Sequence, residues 1–197
     1  MTPDLFLALV AYAFVGSATP GPNNVMLLAS GVNFGLRRTV PHMAGIALGH
    51  ALMVFIVGIG LVGVFVTLPA ARMVLTAISA VYLLWLAWKI AQATPPEGRA
   101  EGGRPLTFLQ AAGFQWVNPK AWVIAIGAVT LYAPGQEWHA VLWVTAGFLT
   151  VSLPSMLIWA GAGVSLRRLL HRPDWLRAFN YTMAALLVAS LWPVLMG

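Results

Sequence analysis

The chain has no cysteine among its 197 residues. That excludes a disulfide framework and a thiolate-bound metal, and it leaves the redox compartment unreadable. Charge is scarce as well. Asp, Glu, Lys and Arg make up 8% of the residues, where a soluble domain carries about 25%. Acids are the rarest of these. The five are Asp4, Glu97, Glu101, Glu137 and Asp174, and each lies in a terminus or a polar connection. The apolar segments therefore hold no carboxylate to relay protons or to neutralise a bare cation. Material for an enzyme is also missing. His42, His50, His139 and His171 are scattered, with no acid beside those in the apolar segments, and neither an HxxxH pair nor a Ser-His-Asp pattern is present. No metal or cofactor site is expected.

What fills the chain instead is apolar. Hydrophobic residues reach 60% and the mean hydropathy is +0.83. Charge-free runs recur: 32 residues between Asp4 and Arg37, 33 between Arg38 and Arg72, 29 between Glu137 and Arg167, and the last 20. About 20 apolar residues span a bilayer core. We read an all-α integral membrane protein with six transmembrane helices, at Leu5–Gly31, His42–Val66, Ala70–Ala91, Leu106–Tyr132, Trp138–Gly163 and Ala178–Met196. The third is the weakest, because Arg72 and Lys89 bracket it closely and both must snorkel. Trp88, Tyr132, Trp138 and Trp192 lie near segment ends, as an interfacial aromatic belt requires. The N-terminus lacks the basic region of a secretory leader, so the first segment is expected to be retained.

Lysine and arginine give the orientation. Nine of the eleven fall in the first, third and fifth connections: Arg37, Arg38, Lys89, Arg99, Arg104, Arg167, Arg168, Arg172 and Arg177. Arg72 lies on the other side and Lys120 inside a segment. The biased connections belong in the cytoplasm, which places both termini outside. The net charge of +6 then reflects topology and anionic lipid headgroups rather than nucleic-acid binding. Three helices followed by three must be oppositely oriented, a 3+3 inverted repeat. The halves are about residues 1–92 and 106–197, joined by a Pro- and Gly-containing linker at 93–105, and together they make one domain over 1–197.

Two helix breaks interrupt these apolar runs. The first is Thr19-Pro20-Gly21-Pro22-Asn23-Asn24, in helix 1. The second is Asn118-Pro119-Lys120, in helix 4. Proline removes a backbone donor and fixes φ, and glycine permits φ values closed to other residues. The helix before the first break is left with unpaired carbonyls near residues 16 to 18. Asn23 or Asn24 can cap the helix that restarts beyond it. The restarted half-helix offers a partially positive end at membrane depth, which suits a carboxylate. Pro22 and Pro119, like Gly16 and Gly113, are related by one 97-residue offset. Unwound backbone at this depth is tolerated only where protein buries it or a polar cavity is lined by it. The alternative is a pair of plain proline kinks.

Lys120 is the residue hardest to place. An ammonium near the bilayer centre costs about 3 kcal/mol on insertion scales. It lies about 20 Å into its segment at 1.5 Å per residue, too deep for easy snorkelling. It should face a cavity, an anionic ligand or backbone carbonyls. His50 follows Gly45 and Gly49, a small-xxx-small pair that permits close helix approach. It is either a packed structural histidine or the proton-coupling group, since imidazole titrates near physiological pH.

The chain resembles the LysE/RhtB family of bacterial amino-acid exporters over nearly its whole length. The stretches that carry the likeness are Ala18-Thr-Pro-Gly-Pro-Asn23, Gly31-Val-Asn-Phe-Gly35 with arginines after it, Gly45-Ile-Ala-Leu-Gly-His50, Tyr82-Leu-Leu-Trp-Leu-Ala-Trp88 and Phe114-Gln-Trp-Val-Asn-Pro-Lys120. Ala77, Ala80 and Ala87 depart from it, where family members more often carry glycine, as does the last helix with Pro193. The resemblance implies efflux of amino acids or their derivatives across the bacterial inner membrane, driven by the proton gradient. The residues themselves favour a neutral zwitterion, held by Pro20 to Asn24 and Asn118 to Lys120. A non-transporting membrane subunit and a passive channel are the alternatives. A homo-oligomer is compatible with the sequence but not demanded by it.

Overall fold

The computed structural model describes residues 2–61, 69–93, 104–135, 137–167, 169–170 and 172–192. Those residues form eight α-helices and one π-helical turn, with no strand among them. Helix α1 is Pro3–Ala18 and α2 is Pro22–Phe34. Helix α3 is Leu36–Ile56, and it runs into the π-helical turn Val57–Leu61. Helix α4 is Pro69–Ala91, α5 is Phe108–Gln115 and α6 is Pro119–Tyr132. Helix α7 is Trp138–Arg167 and α8 is Pro173–Ala189.

Local chemistry sets these boundaries. Thr2 caps α1, with Oγ1 accepting from the Leu5 amide at 3.3 Å. Pro3 opens the helix, where its missing N–H is harmless, and Asp4 faces the positive end of the dipole. Helix α5 begins with a capping box: the Gln110 amide donates to Thr107 Oγ1, and the Thr107 amide donates to Gln110 Oε1. Gly35, at φ +76°, joins α2 to α3 in a single residue. A side chain there would strain the backbone.

That hinge corrects one expectation. Arg37 and Arg38 were placed in a connection, yet they lie in the first turn of α3. One left-handed glycine makes the turn, so no loop is needed. The last long helix also outruns its expected end at Gly163 and continues to Arg167. The end of the second expected segment at Val66, most of the linker at 93–105 and the stretch before Met196 lie outside the described residues.

By length and composition two of the described helical stretches can cross a membrane: Leu36–Gly60 and Trp138–Arg167. The pair α1 and α2, bent by 59° at their junction, makes a third if taken as one span. The apolar part of α4, Thr76–Ala91, and α6 are shorter. Large apolar side chains cover the outside, among them Leu7, Val81, Val123, Leu131 and Ile158. Trp88, Trp138 and Trp192 are each exposed. A surface so apolar suits lipid.

Helix α7 is the axis of the molecule, packing on α1, α2 and α3. Small residues bring the backbones together. Gly31 of α2 lies against Ala160 and Gly163 of α7, and a Cβ on Gly31 would meet the Ala160 carbonyl. Gly45 and Gly49 of α3 meet Phe108 and Ala112 of α5, where a Cβ on Gly49 would sit 2.6 Å from Ala112 Cα. This is the close approach expected of a small-xxx-small pair. Two apolar cores result. One holds Leu27, Met43, Leu83, Phe114 and Leu187; the other holds Leu9, Met53, Ala125, Val144 and Phe148.

Candidate functional site

The helix of residues 3–18 stops where Pro20 and Pro22 deny it donors. The carbonyls it leaves behind all find partners. Gly16 O accepts from Thr19 Oγ1 at 3.2 Å. Ser17 O accepts from Asn24 Nδ2 at 2.8 Å, and Ala18 O from Trp159 Nε1 at 3.1 Å. Thr19 O accepts from Asn24 Nδ2 at 2.7 Å and from Lys120 Nζ at 2.6 Å. Lys120 Nζ also donates to Thr19 Oγ1 at 2.8 Å and to Pro20 O at 3.2 Å. Its three protons match three oxygens, all neutral.

The two interruptions therefore meet. Asn23, one residue into α2, forms a reciprocal amide pair with Gln115 at the end of α5: Asn23 Nδ2 donates to Gln115 Oε1 at 2.9 Å, and Gln115 Nε2 donates to Asn23 Oδ1 at 3.2 Å. Gln115 Nε2 also donates to Ala111 O. Between α5 and α6 the chain turns at residues 116–118, and Asn118 caps α6 by accepting from the Lys120 amide at 3.2 Å. Pro22 and Pro119 each take the first position of their helix, which their fixed φ favours.

Two expectations are revised. Neither Asn23 nor Asn24 caps α2; its N-cap is Gly21, and no side chain caps it. Asn24 turns back to the carbonyls at the end of the previous helix instead, because the prolines leave those acceptors without helical donors. Gly21, at φ 179° and ψ 179°, is extended rather than left-handed. Glycine leaves room there for the Lys120 side chain. A Cβ on Gly21 would sit 2.7 Å from Lys120 Cδ and 3.1 Å from Nζ.

A cavity of about 50 Å³ opens beside this junction, room for a few water molecules. Gly21, Asn23, Asn24, His50, Asn118 and Lys120 line it, joined by Ser152, Ser155 and Met156 of α7. Pro20, Pro22 and Pro119 act through the backbone they shape. His50 is buried, edge-on to Phe148 at 5.1 Å, and its Nδ1 has no hydrogen-bond partner. Ser155 Oγ has none either. The cavity lining contains no acid, so the Lys120 charge is solvated by dipoles and left uncompensated. Among the described residues no group of three or more His, Cys, Asp or Glu is placed to hold a metal.

Sequence reasoning missed Gln115, Thr19 and the α7 serines. Ser152 and Ser155 flank Pro154 at i, i+3 spacing in a charge-free helix, a signal open to reading. Gln115 carried no such mark, since its partner lies 92 positions away.

The model of the LysE type translocator family matches residues 14–190. A cysteine/O-acetylserine efflux protein of Klebsiella pneumoniae subsp. pneumoniae is 34% identical over 191 residues, covering 95% of each chain. The protein of that name from Escherichia coli (strain K12) is 32% identical over 192 residues, covering 95% of this chain and 96% of its own. One from Shigella sonnei matches to the same extent. No solved structure matches the chain. The chain belongs to the LysE type translocator family. It is thus a transporter and not an enzyme, and its apolar helices are those of a multi-pass membrane protein.

Proposed function

We propose that this LysE type translocator exports a neutral amino acid of the cysteine or O-acetylserine kind from the bacterial cytoplasm by proton-coupled alternating access. The observation that carries the reading is the Lys120 ammonium seated on Thr19 and Pro20. That contact is an ammonium on carbonyl oxygens, which is half of what a zwitterion would make. A bound amino acid replaces it with two contacts. Its carboxylate draws Lys120 away and faces the uncapped amino end of α2. Its ammonium takes the place that Lys120 vacates on Thr19 and Pro20. A lone anion leaves the carbonyls empty, and a lone cation leaves Lys120 unpaired. The names of the relatives fit this class, since cysteine and O-acetylserine are both zwitterions without net charge.

His50 is the group we assign to proton coupling. It borders the same cavity and keeps a free ring nitrogen. The site residues of this reading are Pro20, Gly21, Pro22, Asn23, Asn24, Asn118, Pro119 and Lys120, with Gln115 and Ser155 added.

The same reading takes the fold as six crossings in a 3+3 inverted repeat within one domain. Helices α1 with α2, and α5 with α6, are then the broken first and fourth spans. Two features support it. Pro22 and Pro119 open equivalent half-helices, and the packing of α1 on α7 is matched by that of α5 on α3. The match is incomplete: the α2–α7 seam is tight and its counterpart between α6 and α3 is loose. The cavity lies there, lined by Ile46 and His50 of α3 and by Ala121 and Ile124 of α6. The positive-charge bias places the α2–α3 junction and the α4–α5 and α7–α8 connections in the cytoplasm, with both termini outside the inner membrane.

The test is efflux from proteoliposomes loaded with labelled O-acetyl-L-serine, leucine or arginine under an imposed proton gradient. Preferential release of the neutral substrates is expected. Preferential release of arginine, or release indifferent to the gradient, would overturn the reading.

A further inference from the structure

A second and larger cavity lies apart from the first. It measures about 250 Å³ and is bounded by α2, α3, the end of α4 and the stretch leading into α5. Among the described residues its wall carries Ser30, Asn33, His42, Lys89 and Arg104, and no acid. Most of its polar groups are occupied. Ser30 Oγ bonds Thr39 Oγ1 at 2.8 Å, and Asn33 Nδ2 donates to Ala29 O and to Asn180 Oδ1. His42 differs. It is 1% exposed, and neither of its ring nitrogens has a partner. A buried polar group in that state is costly, and native structures rarely keep one without a use.

From the cavity, the two cations and the orphaned imidazole we infer that this chamber is a second solute site, which receives the carboxylate of an amino acid before it reaches the central cavity. His42 lies about one turn beyond Arg38 on α3, at the cation-rich end of the molecule. This inference rests on the proposed export reading for its direction, since that reading makes the end cytoplasmic. Lys89 and Arg104 supply the charge that attracts an anion. Whichever tautomer it adopts, His42 offers one N–H to a carboxylate oxygen. The volume is about five times that of the central cavity, which suits a station that admits solute before a tighter one selects it. A lipid phosphate has related chemistry, and the experiment separates the two.

The test is equilibrium dialysis of radiolabelled O-acetyl-L-serine against the full chain in phosphatidylcholine nanodiscs, which requires no transport. We expect two sites in the wild type and one in Lys120→Ala; that step reports on the central site separately. In Lys120→Ala, adding Lys89→Gln with Arg104→Gln should weaken the remaining site at least tenfold, as loss of charge-assisted contacts does. Lys89→Arg with Arg104→Lys should retain it. O-acetyl-L-serine methyl ester, which has no carboxylate, should fail to compete. His42→Leu should bind more weakly while melting no lower than the parent, because the orphaned polar group is removed. His42→Gln should keep part of the binding. The inference is overturned if Lys120→Ala binds no ligand, if the glutamine pair binds as tightly as its parent, or if the ester competes equally. It is overturned too if phosphatidylglycerol in the nanodiscs abolishes the binding, which would make the chamber a lipid site.

Discussion

Replacing Lys120 with alanine removes one ammonium and three hydrogen bonds, to Thr19 O, Thr19 Oγ1 and Pro20 O. In the exchange proposed above, that ammonium passes from these oxygens to the substrate carboxylate. A hydrogen bond to a charged group contributes about 1.5–3 kcal/mol. At about 1.4 kcal/mol per factor of ten, losing the carboxylate contact alone weakens substrate binding roughly 10- to 150-fold. The substrate-free protein loses the Lys120 bridge as well, so both legs of the proposed exchange are impaired and export should be abolished at ordinary substrate concentrations. Insertion should be unaffected, because removing an ammonium from membrane depth favours the bilayer by about 3 kcal/mol. The assay is initial efflux of labelled O-acetyl-L-serine from proteoliposomes, with inserted protein quantified by protease protection. Lys120→Met keeps the apolar stem and separates charge from volume; it should fail as Lys120→Ala does. Wild-type efflux with an unchanged KM in either variant would refute the reasoning, since no other described residue delivers a cation to this cavity.

Four further perturbations bear on the same site. Gly21→Ala places a Cβ 2.7 Å from Lys120 Cδ, so it should displace the ammonium and cut efflux at least tenfold while the protein still inserts. Asn23→Leu or Gln115→Leu strands a buried amide at about 1–3 kcal/mol, and the double substitution should cost less than the two singles together when thermal unfolding in detergent is compared. His50→Leu should leave downhill counterflow of labelled for unlabelled substrate intact and remove acceleration by a proton gradient; full acceleration in that variant would take His50 out of the coupling. Gly16→Cys with Ile124→Cys should cross-link on oxidation, because a Cβ on Gly16 would touch the Ile124 side chain, 3.3 Å from its Cγ2; oxidation should stop efflux and reduction restore it, whereas efflux unaffected by the bridge would exclude rocking of the halves.

The helical class and the two interruptions were legible because proline and asparagine punctuate runs that otherwise hold no charge. Pro22 and Pro119 open α2 and α6 as their fixed φ requires. Gly45 and Gly49 announced a close seam, though not its partner, α5. What stayed hidden depends on tertiary pairing. Asn24 reads equally well as a cap for the helix it begins or as a donor to the helix before it. The choice falls to the second because the prolines deny the Ser17 and Thr19 carbonyls a helical donor and α2 can start without a side-chain cap. Gln115 lies in the Phe114–Lys120 stretch that carries the family likeness, but only the approach of α5 to α2 makes it half of an amide pair. The one-residue junction at Gly35 was concealed by Arg37 and Arg38, whose charges read as a loop.

The absence of acids is what gives Lys120 its meaning. A buried lysine beside a carboxylate would be a settled ion pair, and a substrate carboxylate arriving there would compete with a full charge. Here the competitors are two carbonyls and a hydroxyl. A carboxylate holds an ammonium more strongly than a neutral oxygen does, because a full opposite charge adds a Coulomb attraction to the hydrogen bond. The oxygens released are then free for an ammonium of the same kind. On the export reading proposed above, the site would recognise both ends of a zwitterion with a single charged residue of its own. Placing an acid within it, as Ser155→Asp would do on the opposite wall, pairs Lys120 internally and removes the incentive to exchange. The chain's poverty in carboxylates and the selectivity for a neutral amino acid proposed above are, on this argument, one property.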